Sequence, residues 1–592
     1  MSRVFYRSQL LLCLFICTII NVGYAYSNVA IKIQSQKDFD SLSGSINTAL
    51  SNGTKEIVVK IYPGTYHYKE DHIDLSGKNY PEASIKIKGR NTTFIASGVC
   101  YDKTDAYIGT FNPKHTVLND RNEAVEIWTP FYQITELIEV VSPASKLCRV
   151  KNISNASNIS HAGSYIQITS WFQSYLYKIN RIEEGYIYFT ADNLAKGYRE
   201  GWNVNNDYNY GKCYPRYRLA NVQSEDNNFF IGQDHVDISS NIHSIYECNA
   251  TRFLVLGYQT YLKSVDIEGI TFVGNSYDGE KGVFSFLSPH GRAVINNCQF
   301  KGIQSSRVIS IGNKNNVSVL NCQFEDCSES GVISSLGTEN TVVSNCKFVR
   351  CGTSMKNSFC VRCFGVDFLV SHNTFEDFGY SAIGIGCGYG NKRSSRISGV
   401  VDHNMLRYTD GYKKCKDQHT LMDGGAIYIF TQNDDTKIRY NYIDGYTGMK
   451  DNRGVFCDDG ASNLKIYGNV ITDIDNSYCI DSRRVASVET QVGPSNVGNL
   501  VYDNIVDGTI KIEGREVVGN GCEYGSNFFL VGLDKTKPHN VINNVYVTGE
   551  DVVLKYTGMK RGKVGITRAS YKRLKKISYW NGIKKFVVKK DN

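Results

Sequence analysis

Short apolar runs separated by glycine, asparagine, serine or aspartate fill the chain from about residue 262 to residue 548. The runs show no helical period and are rich in β-branched and aromatic residues, which favours strands. Representative runs are GVFSFLS (282–288), SRVISIG (306–312), GVISSLG (331–337), SAIGIG (381–386), GAIYIF (425–430) and GVFCDDG (454–460). The pattern predicts an all-β protein built from short strands and turns.

The runs belong to an internal repeat. Asn-Cys-Gln-Phe at 297–300 recurs at 321–324 and, as Asn-Cys-Lys-Phe, at 345–348, an interval of 24 residues each time. Looser copies contain Asn373, Asn404, Asn441, Asn469 and Asn504. A repeat made only of strands is not a βαβ unit, but it fits one coil of a parallel β-helix whose coils stack about 4.8 Å apart. We expect the asparagine to lie at the same turn of every coil, where its amide bonds the coils above and below.

The cysteines follow the same repeat. Cys298, Cys322 and Cys346 share one register, and we interpret them as small buried residues that stack between coils, not as disulfides. Cys360 and Cys363 have the spacing of a redox or zinc motif, but without a second ligand pair this spacing is more simply explained by strand positions.

The repeats and the opening segments VVKIYPGTYHY (58–68) and IKIKGRNTTFIASG (85–98) resemble secreted proteins of the pectate-lyase-like superfamily. The resemblance covers about 26–98 and 262–548. It implies a right-handed parallel β-helix, an N-terminal segment that caps the first coil, and glycan binding on one parallel sheet. Residues 100–261 lack the repeat and alternate like antiparallel strands, so we expect an inserted β-rich subdomain there.

The two ends of the chain differ from the repeats. Residues 1–25 have the charged start, apolar run and small residues of a signal peptide, which predicts secretion. We expect residues 26–99 of the mature chain to form an N-terminal cap and the first coils of the β-helix. The repeats at 262–548 are followed by a basic segment, 549–592. Residues 555–592 carry a charge of +12, so the rest of the chain carries −4 although the total is +8. Such a segment is either a solvated end or a site for an anionic polymer.

Aspartates cluster where successive strands end. With Gly425 and Gly454 aligned, Asp458 and Asp459 lie at the end of one strand, and Asp481 lies at the same end of the next. Equivalent positions on adjacent coils are about 5 Å apart. Two carboxyl groups about 5 Å apart suit a retaining glycosidase, and about 6.5–9.5 Å an inverting one. We therefore predict Asp458, Asp459 and Asp481 as catalytic acids, unless Asp459 only forms a turn with Gly460 and Asp481 only pairs with Arg483.

Other residues are predicted to contact substrate. Asp423 precedes its strand, roughly 20 Å from the far strand ends, but the pattern DGGAIY followed by DDG resembles β-helix glycoside hydrolases of bacterial glycan degraders. That resemblance implies that Asp423 contacts substrate or orders the insert 387–422 before it; the alternative is that Asp423 only caps the Gly-Gly turn. Tyr428 and Phe456 would offer aromatic faces to sugar rings, or pack inside, because a register slip of one residue reverses the faces. Arg483 and Arg484 complete the predicted binding residues.

Nucleotide, zinc-protease and serine-hydrolase motifs (GxxxxGK[ST], HExxH, GxSxG) do not occur. The sequence therefore predicts a secreted, monomeric glycosidase that acts on a polysaccharide or oligosaccharide, needs no cofactor, binds no nucleic acid and does not span a membrane. One alternative is a Ca²⁺-dependent polysaccharide lyase, with Ca²⁺ on the aspartates and Arg483 or Arg484 as the base that acts on an acidic glycan. The other is a glycan-binding or adhesive β-solenoid without catalysis.

Overall fold

The computed structural model describes residues 28–68, 71–96, 252–274 and most of 282–506, together with strands between residues 99 and 245 and between 509 and 547. Within 282–506, the residues not described are 288–290, 304–306, 313–315, 328–329, 335–336, 353–358, 387–396, 414–422, 431, 448–451, 459–460, 475–477, 484–498 and 503. The predicted signal peptide and basic segment lie outside the described residues. In the part that is described, no helix is long and apolar enough to cross a membrane.

Two short helices follow the first described strand, Asn28–Ile33. Helix α1 spans Gln36–Asp40 and helix α2 spans Leu42–Ser51. A capping box begins α1: the Ser35 side chain accepts from the Asp38 backbone N–H, and the Asp38 carboxylate accepts from Ser35. Leu42, Ile46 and Leu50 lie on one face of α2 and are buried in the core of the first coils. The strand repeats of the sequence do not predict these helices.

Each later coil contributes one strand to each of three parallel sheets. Sheet 1 contains Ile73–Asp74, Leu254–Leu256, Phe284–Phe286, Arg307–Ile311, Ser330–Ser334, Phe359–Cys363, Ser381–Ile385, Gly425–Ile429, Arg453–Cys457, Tyr478–Arg483 and Thr509–Glu513. All the predicted runs lie in this sheet, and the strand Phe359–Cys363, which holds the CxxC spacing, adds a further coil. The parallel β-helix is confirmed.

Sheets 2 and 3 form the other two faces. Asn79–Ala96 and Tyr261–Val273 run through both sheets. Sheet 2 also contains Asn28–Ile33, Glu56–Ile61, Arg292–Asn296, Asn316–Leu320, Val342–Ser344, Phe368–Ser371, Ser398–Asp402, Gln432–Arg439, Ser462–Tyr467, Leu500–Tyr502 and Glu523–Tyr524. Sheet 3 also contains Gly64–Tyr68, Gln299–Lys301, Gln323–Glu325, Lys347–Val349, Thr374–Glu376, Met405–Arg407, Tyr442–Asp444, Val470–Thr472, Ile505–Val506, Phe528–Leu530 and Val545–Val547.

A β-rich segment is inserted between two neighbouring coils. Asn79–Ala96 pairs in parallel with Tyr261–Val273, so the chain leaves the β-helix after one coil and returns at the next. The segment's strands are Val99–Asp102, Tyr107–Thr110, Thr116–Leu118, Ala124–Glu126, Tyr132–Gln133, Glu139–Ser142, Leu147–Lys151, Tyr165–Ser170, Gln173–Glu183, Tyr186–Thr190, Arg216–Ala220, Val222–Glu225, Asn228–Ile231 and Ile242–Ile245. Its described strands pair antiparallel and have an apolar cluster of their own.

The interior is built from columns of like residues. Phe272, Phe300, Phe324, Phe348 and Phe375 stack on one another with ring centroids 4.6–5.3 Å apart. A second column is an amide ladder in which each Nδ2 donates to the next Oδ1 at 2.9–3.0 Å: Asn373, Asn404, Asn441, Asn469 and Asn504. The predicted role of these asparagines between coils is confirmed.

The structure corrects one part of the repeat alignment. Phe348 pairs with Phe375, so Asn373 is level with Cys346 and not with Asn345. Cys346 Sγ donates to the Val319 carbonyl at 3.5 Å, as Asn373 Nδ2 donates to Val343 one coil later at 2.9 Å. The cysteines are therefore the first members of the asparagine column. All the described cysteines are buried and free, as predicted.

The first repeat asparagines have a different role. Asn297, Asn321 and Asn345 adopt left-handed φ angles of 53–55° at the corner between sheets 2 and 3. Asparagine tolerates this region better than most residues. His372 and His403 occupy the same corner in later coils, with φ of 60° and 55°. The repeated asparagine of the sequence therefore occupies two different structural positions, the corner in the early coils and the interior column in the later ones.

Candidate functional site

The predicted site residues lie on sheet 1, where two columns alternate between the faces. One column faces the core and consists of Val361, Ile383, Ile427, Val455 and Ile480, each paired with the next. The adjacent column is Arg362, Gly384, Tyr428, Phe456 and Asp481. Because side chains alternate along a strand, this second column points to the outer face. The register thus places Tyr428, Phe456 and Asp481 in line on three successive coils.

The aromatic residues of this outer face form a cluster separate from the core. Tyr428 contacts Phe456 with ring centroids 4.9 Å apart and Tyr380 at 5.6 Å, and Phe359 contacts Tyr380 at 5.8 Å. Tyr428 is 7% exposed and Phe456 is 0% exposed. The two rings therefore lie on the outer face, as the binding hypothesis requires, yet they are buried there by their neighbours.

Glycines make room for this packing. A Cβ at Gly384 would lie 2.4 Å from the Phe359 ring, and a Cβ at Gly425 would lie 2.7 Å from Phe456 Cβ. At Gly424 it would lie 2.4 Å from the Tyr446 hydroxyl oxygen. The Asp-Gly-Gly motif thus has a steric cause, because both of its glycines lie where a side chain would clash.

A buried arginine connects two of the predicted acids. Arg453 lies on the middle coil; its Nη1 donates to Asp423 Oδ1 at 2.8 Å and its Nε donates to Asp481 Oδ2 at 2.9 Å. Its guanidinium carbon lies 4.1 Å from the centre of the Phe456 ring. Arg453 is 3% exposed and Asp481 is 0% exposed, whereas the Asp423 side chain is 20% exposed. One guanidinium therefore brings together acids from the coils on either side.

Three further groups bond Asp423 and its neighbour Gly424, and a fourth holds Tyr380. Tyr380 donates its hydroxyl to the Asp423 carbonyl at 2.9 Å. The Gly424 N–H donates to Asn452 Oδ1 at 3.1 Å, and the Gly424 carbonyl accepts from the Arg453 N–H at 3.0 Å. The Tyr446 hydroxyl donates to the Tyr380 carbonyl at 2.5 Å. Asp423 itself has a φ of 59°, a conformation shared with many corner residues of this fold.

Asp458 is held from the other side of the aromatic cluster. The Tyr428 hydroxyl donates to Asp458 Oδ2, and the Asp458 N–H donates to the Ile429 carbonyl at 2.8 Å. Burial, together with the charges of Asp458 and Asp423, raises the pKa of Tyr428 and of Tyr380 well above their usual range. Both phenols therefore stay protonated donors. The charges of Asp423 and Asp458 both raise the pKa of the same two phenols. Strand spacing alone places these aspartates roughly 20 Å apart.

The structure brings most of the predicted site together. Asp423, Tyr428, Phe456, Asp458 and Asp481 share the outer face of sheet 1. Asp459 and Arg484 lie outside the described residues, and only the backbone of Arg483 is described, as the last residue of its strand.

Arg453, Tyr380 and Asn452 were missed by sequence reasoning. The strand run predicted from the sequence begins at Gly454, one residue after Arg453. An arginine that opens a predicted strand between two aspartate-bearing coils is the signal that could have identified it, because a buried cation needs acidic partners.

The carboxylates do not fit a Ca²⁺ site at this point. A cation there would have to replace a guanidinium that already contacts both Asp423 and Asp481. Among the residues that the structure describes, no group of three or more His, Cys, Asp or Glu side chains is arranged to hold a metal ion.

No protein-family model and no curated protein matches the chain. Solved structures of similar fold include a chain described as a glycoside hydrolase, with a TM-score of 0.45, 9% identity, and coverage of 85% of this chain and 94% of that chain. The family 28 exopolygalacturonase of Yersinia enterocolitica has a TM-score of 0.27 at 9% identity, covering 86% of this chain and 79% of that chain.

The Gp54 tailspike of Acinetobacter baumannii bacteriophage AP22, solved with a capsular saccharide, has a TM-score of 0.15 at 10% identity, covering 82% of this chain and 74% of that chain. With TM-scores below 0.5 and identities of 9–10%, these likenesses carry no argument about the function of this chain.

Proposed function

We propose that the protein is a glycoside hydrolase that cleaves a polysaccharide or oligosaccharide on the outer face of sheet 1. The observation that carries this proposal is the convergence of Asp423, Asp458 and Asp481, from separate coils, on one aromatic face. Hydrolysis of a glycosidic bond needs one carboxylic acid and one carboxylate, and buried aromatic surroundings favour such a division of roles.

The roles follow from the partners of each acid. The guanidinium of Arg453 favours the ionised form of Asp423, which suits a base or a nucleophile. Asp458 accepts from the neutral Tyr428 hydroxyl at Oδ2, which fixes the orientation of its carboxyl group on the aromatic face. We therefore assign Asp423 as the group that activates water or attacks the anomeric carbon. Because hydrolysis needs one acid beside this carboxylate, Asp458 is then the proton donor to the leaving oxygen, a role that requires it to take up a proton when the glycan is bound.

This assignment replaces the pair predicted from the sequence. The sequence predicts that Asp481 and one of Asp458 or Asp459 share the glycosidic bond, but Asp481 is 0% exposed and pairs with the buried Arg453. Asp423 is partly exposed and Asp458 is half-buried, so these two are better placed to meet a sugar. Secretion, the monomeric state and the substrate-binding roles of Arg483 and Arg484 stay predictions from the sequence.

A screen of purified glycans tests the proposal. Wild-type protein should release new reducing ends from at least one glycan, in the presence of EDTA as well as without it, and Asp458→Asn should not. An absorbing unsaturated product that disappears with EDTA and returns with Ca²⁺ would instead establish the lyase. Saturable binding of a glycan without cleavage of any would establish the non-catalytic solenoid.

A further inference from the structure

We infer that Asp481 and Arg453 are positioning residues, which fix and ionise the Asp423 carboxylate without touching the glycan. The inference rests on the proposed function. It assigns different roles to Asp423 and Asp481, which neither the sequence pattern nor the fold predicts. In this account two of the three charged groups in the network serve the third.

Burial separates the acids that can meet a substrate from the one that cannot. Asp481 has no exposed surface and Arg453 is almost as deeply buried, while the Asp423 side chain reaches solvent. A sugar on the outer face would therefore contact Asp423 before either partner. A group that acts only through Arg453 fits the position of Asp481.

The geometry of Arg453 lets both contacts exist together. It uses two different nitrogens, Nη1 for Asp423 and Nε for Asp481, so neither carboxylate displaces the other. The guanidinium is planar and rigid, so fixing Nε on Asp481 also fixes the direction in which Nη1 points. The Phe456 ring lies against the guanidinium and limits its rotation. Asp481 thereby sets where the Asp423 carboxylate stands.

Charge balance gives Asp481 a second effect. A buried guanidinium is costly unless it is paired, and Asp481 supplies that pairing inside the protein. Arg453 can then remain buried beside the more exposed Asp423. Hydrogen bonds to the Gly424 backbone connect the same two segments. The Gly424 N–H donates to Asn452 Oδ1, and the Arg453 N–H donates to the Gly424 carbonyl. The segment 452–453 thus clamps 423–424 through side chains and main chain together.

Kinetics on the glycan found by the screen test the roles. Asp481→Asn keeps Arg453 for Asp423, so we expect kcat to fall by no more than about tenfold, with the acidic limb of kcat/KM unmoved or at lower pH. The double variant Arg453→Gln/Asp481→Asn removes both buried charges and leaves Asp423 without its cation. Its acidic limb should move up by about one to three pH units, and kcat should fall more than KM rises. Arg439→Gln, which removes a guanidinium that pairs with Asp402 elsewhere, is the matched control and should leave the profile unchanged.

Two kinetic results would overturn the inference. Asp481→Asn could lose as much kcat as Asp458→Asn at an unchanged KM, which would make Asp481 a catalytic acid. The double variant could instead keep the wild-type acidic limb, which would show that Arg453 does not ionise Asp423.

Thermal unfolding tests the shared guanidinium without any substrate. Asp423→Asn and Asp481→Asn should lower Tm by amounts that do not add in the double variant, because both carboxylates pair with one group. Additive shifts would refute the coupling even if a glycan is cleaved. Non-additive shifts with no cleavable glycan would refute the proposed function and leave the network itself established.

Discussion

Arginine pairs with aspartate both at the corner between sheets 2 and 3 and on sheet 1, in different surroundings. At the corner between sheets 2 and 3, Arg439 donates through Nε and Nη2 to Asp402 Oδ2 at 3.2 and 3.0 Å. On sheet 1, Arg453 divides its contacts between Asp423 and Asp481. The Arg439 side chain is 32% exposed, whereas that of Arg453 is 3% exposed.

The surroundings decide what each pairing accomplishes. Burial raises the pKa of Asp402, but the nearby His403 imidazole and the hydrogen bonds from Ser371 and Arg439 outweigh it and bring the value to about 2. This carboxylate is itself buried and accepts from Ser371 and from the partly exposed Arg439. Asp423 instead lies between a buried cation and an aromatic face, and keeps part of its carboxylate open. The arginine–aspartate pairing thus gives structural support at the corner, whereas on sheet 1 it holds a preorganised acid.

Removing one carboxylate at each place gives the largest expected contrast. Asp423→Asn should reduce turnover of the cleaved glycan by about 10²–10⁴ or more, since it removes the base or nucleophile. Asp402→Asn should leave kcat within a few-fold and affect Tm only. Steady-state kinetics and thermal unfolding of both variants are the measurement. Equal losses of kcat in the two variants would remove the distinction between the places.

Removing the arginines compares the two places by stability. Arg453→Met leaves buried Asp481 without the cation that pairs with it and should lower the free energy of unfolding by about 3–5 kcal/mol. Arg439→Met, at the more exposed corner, should cost about 0–1 kcal/mol. Denaturant unfolding of both variants measures the difference. An Arg453→Met protein as stable as Arg439→Met would show that the sheet 1 network is not buried as described.

Histidines extend the comparison to pH. Burial against Phe39 and Phe253 lowers the pKa of His72 to about 4, and burial also lowers that of half-buried His372 at the corner. The unfolded chain then binds more protons than the folded chain as pH falls from about 6.5, so stability is lost on acidification, by up to about 3 kcal/mol for His72. His72→Gln should flatten the dependence of Tm on pH between about 6.5 and 4, and His372→Gln should flatten it less. A larger effect of His372→Gln would reverse the expected order.

The interior column offers the smallest contrast. Asn404 bonds Asn373, Asn441 and the Val370 carbonyl, so Asn404→Ala leaves buried groups unsatisfied and should cost about 1–3 kcal/mol. Cys322 makes only weak thiol contacts with carbonyls in the same column, so Cys322→Ala should cost less. Chemical denaturation of the two variants checks the order. Equal costs would mean that the amide ladder adds nothing beyond packing.

Much of the fold could be predicted because the repeat is periodic. Each coil presents the same residue types at the same places, so the strands of sheet 1 and the column of Phe300, Phe324 and Phe348 follow from spacing. The alignment failed where unlike residues fill one column, since nothing in the sequence says that Cys346 and Asn373 are equivalent. Helix α2 was missed because its apolar spacing occurs once and outside the repeat.

The site could be predicted in composition but not in arrangement. Strand ends located Asp458 and Asp481, and the Asp-Gly-Gly motif located Asp423. Strand length predicts that Asp423 and Asp458 are unconnected, because it takes no account of long side chains. The side chains of Tyr380 and Tyr428 extend across the face and bond Asp423 and Asp458, respectively. Arg453 can pair with Asp481 only if its side chain lies on the same face of sheet 1. A shift of one residue in the predicted start of the strand would place the Arg453 side chain on the other face.

Cleavage and binding measured on the same Asp458→Asn protein test the central claim most directly. With the glycan that the wild type cleaves, calorimetry should give the variant a Kd within a few-fold of wild-type KM, because the aromatic face and the Arg453 network are intact. Release of reducing ends should fall by about 10²–10⁴, since the proton donor is gone. A folded Asp458→Asn protein that still cleaves at the wild-type rate would contradict the assignment of this face as the place of catalysis.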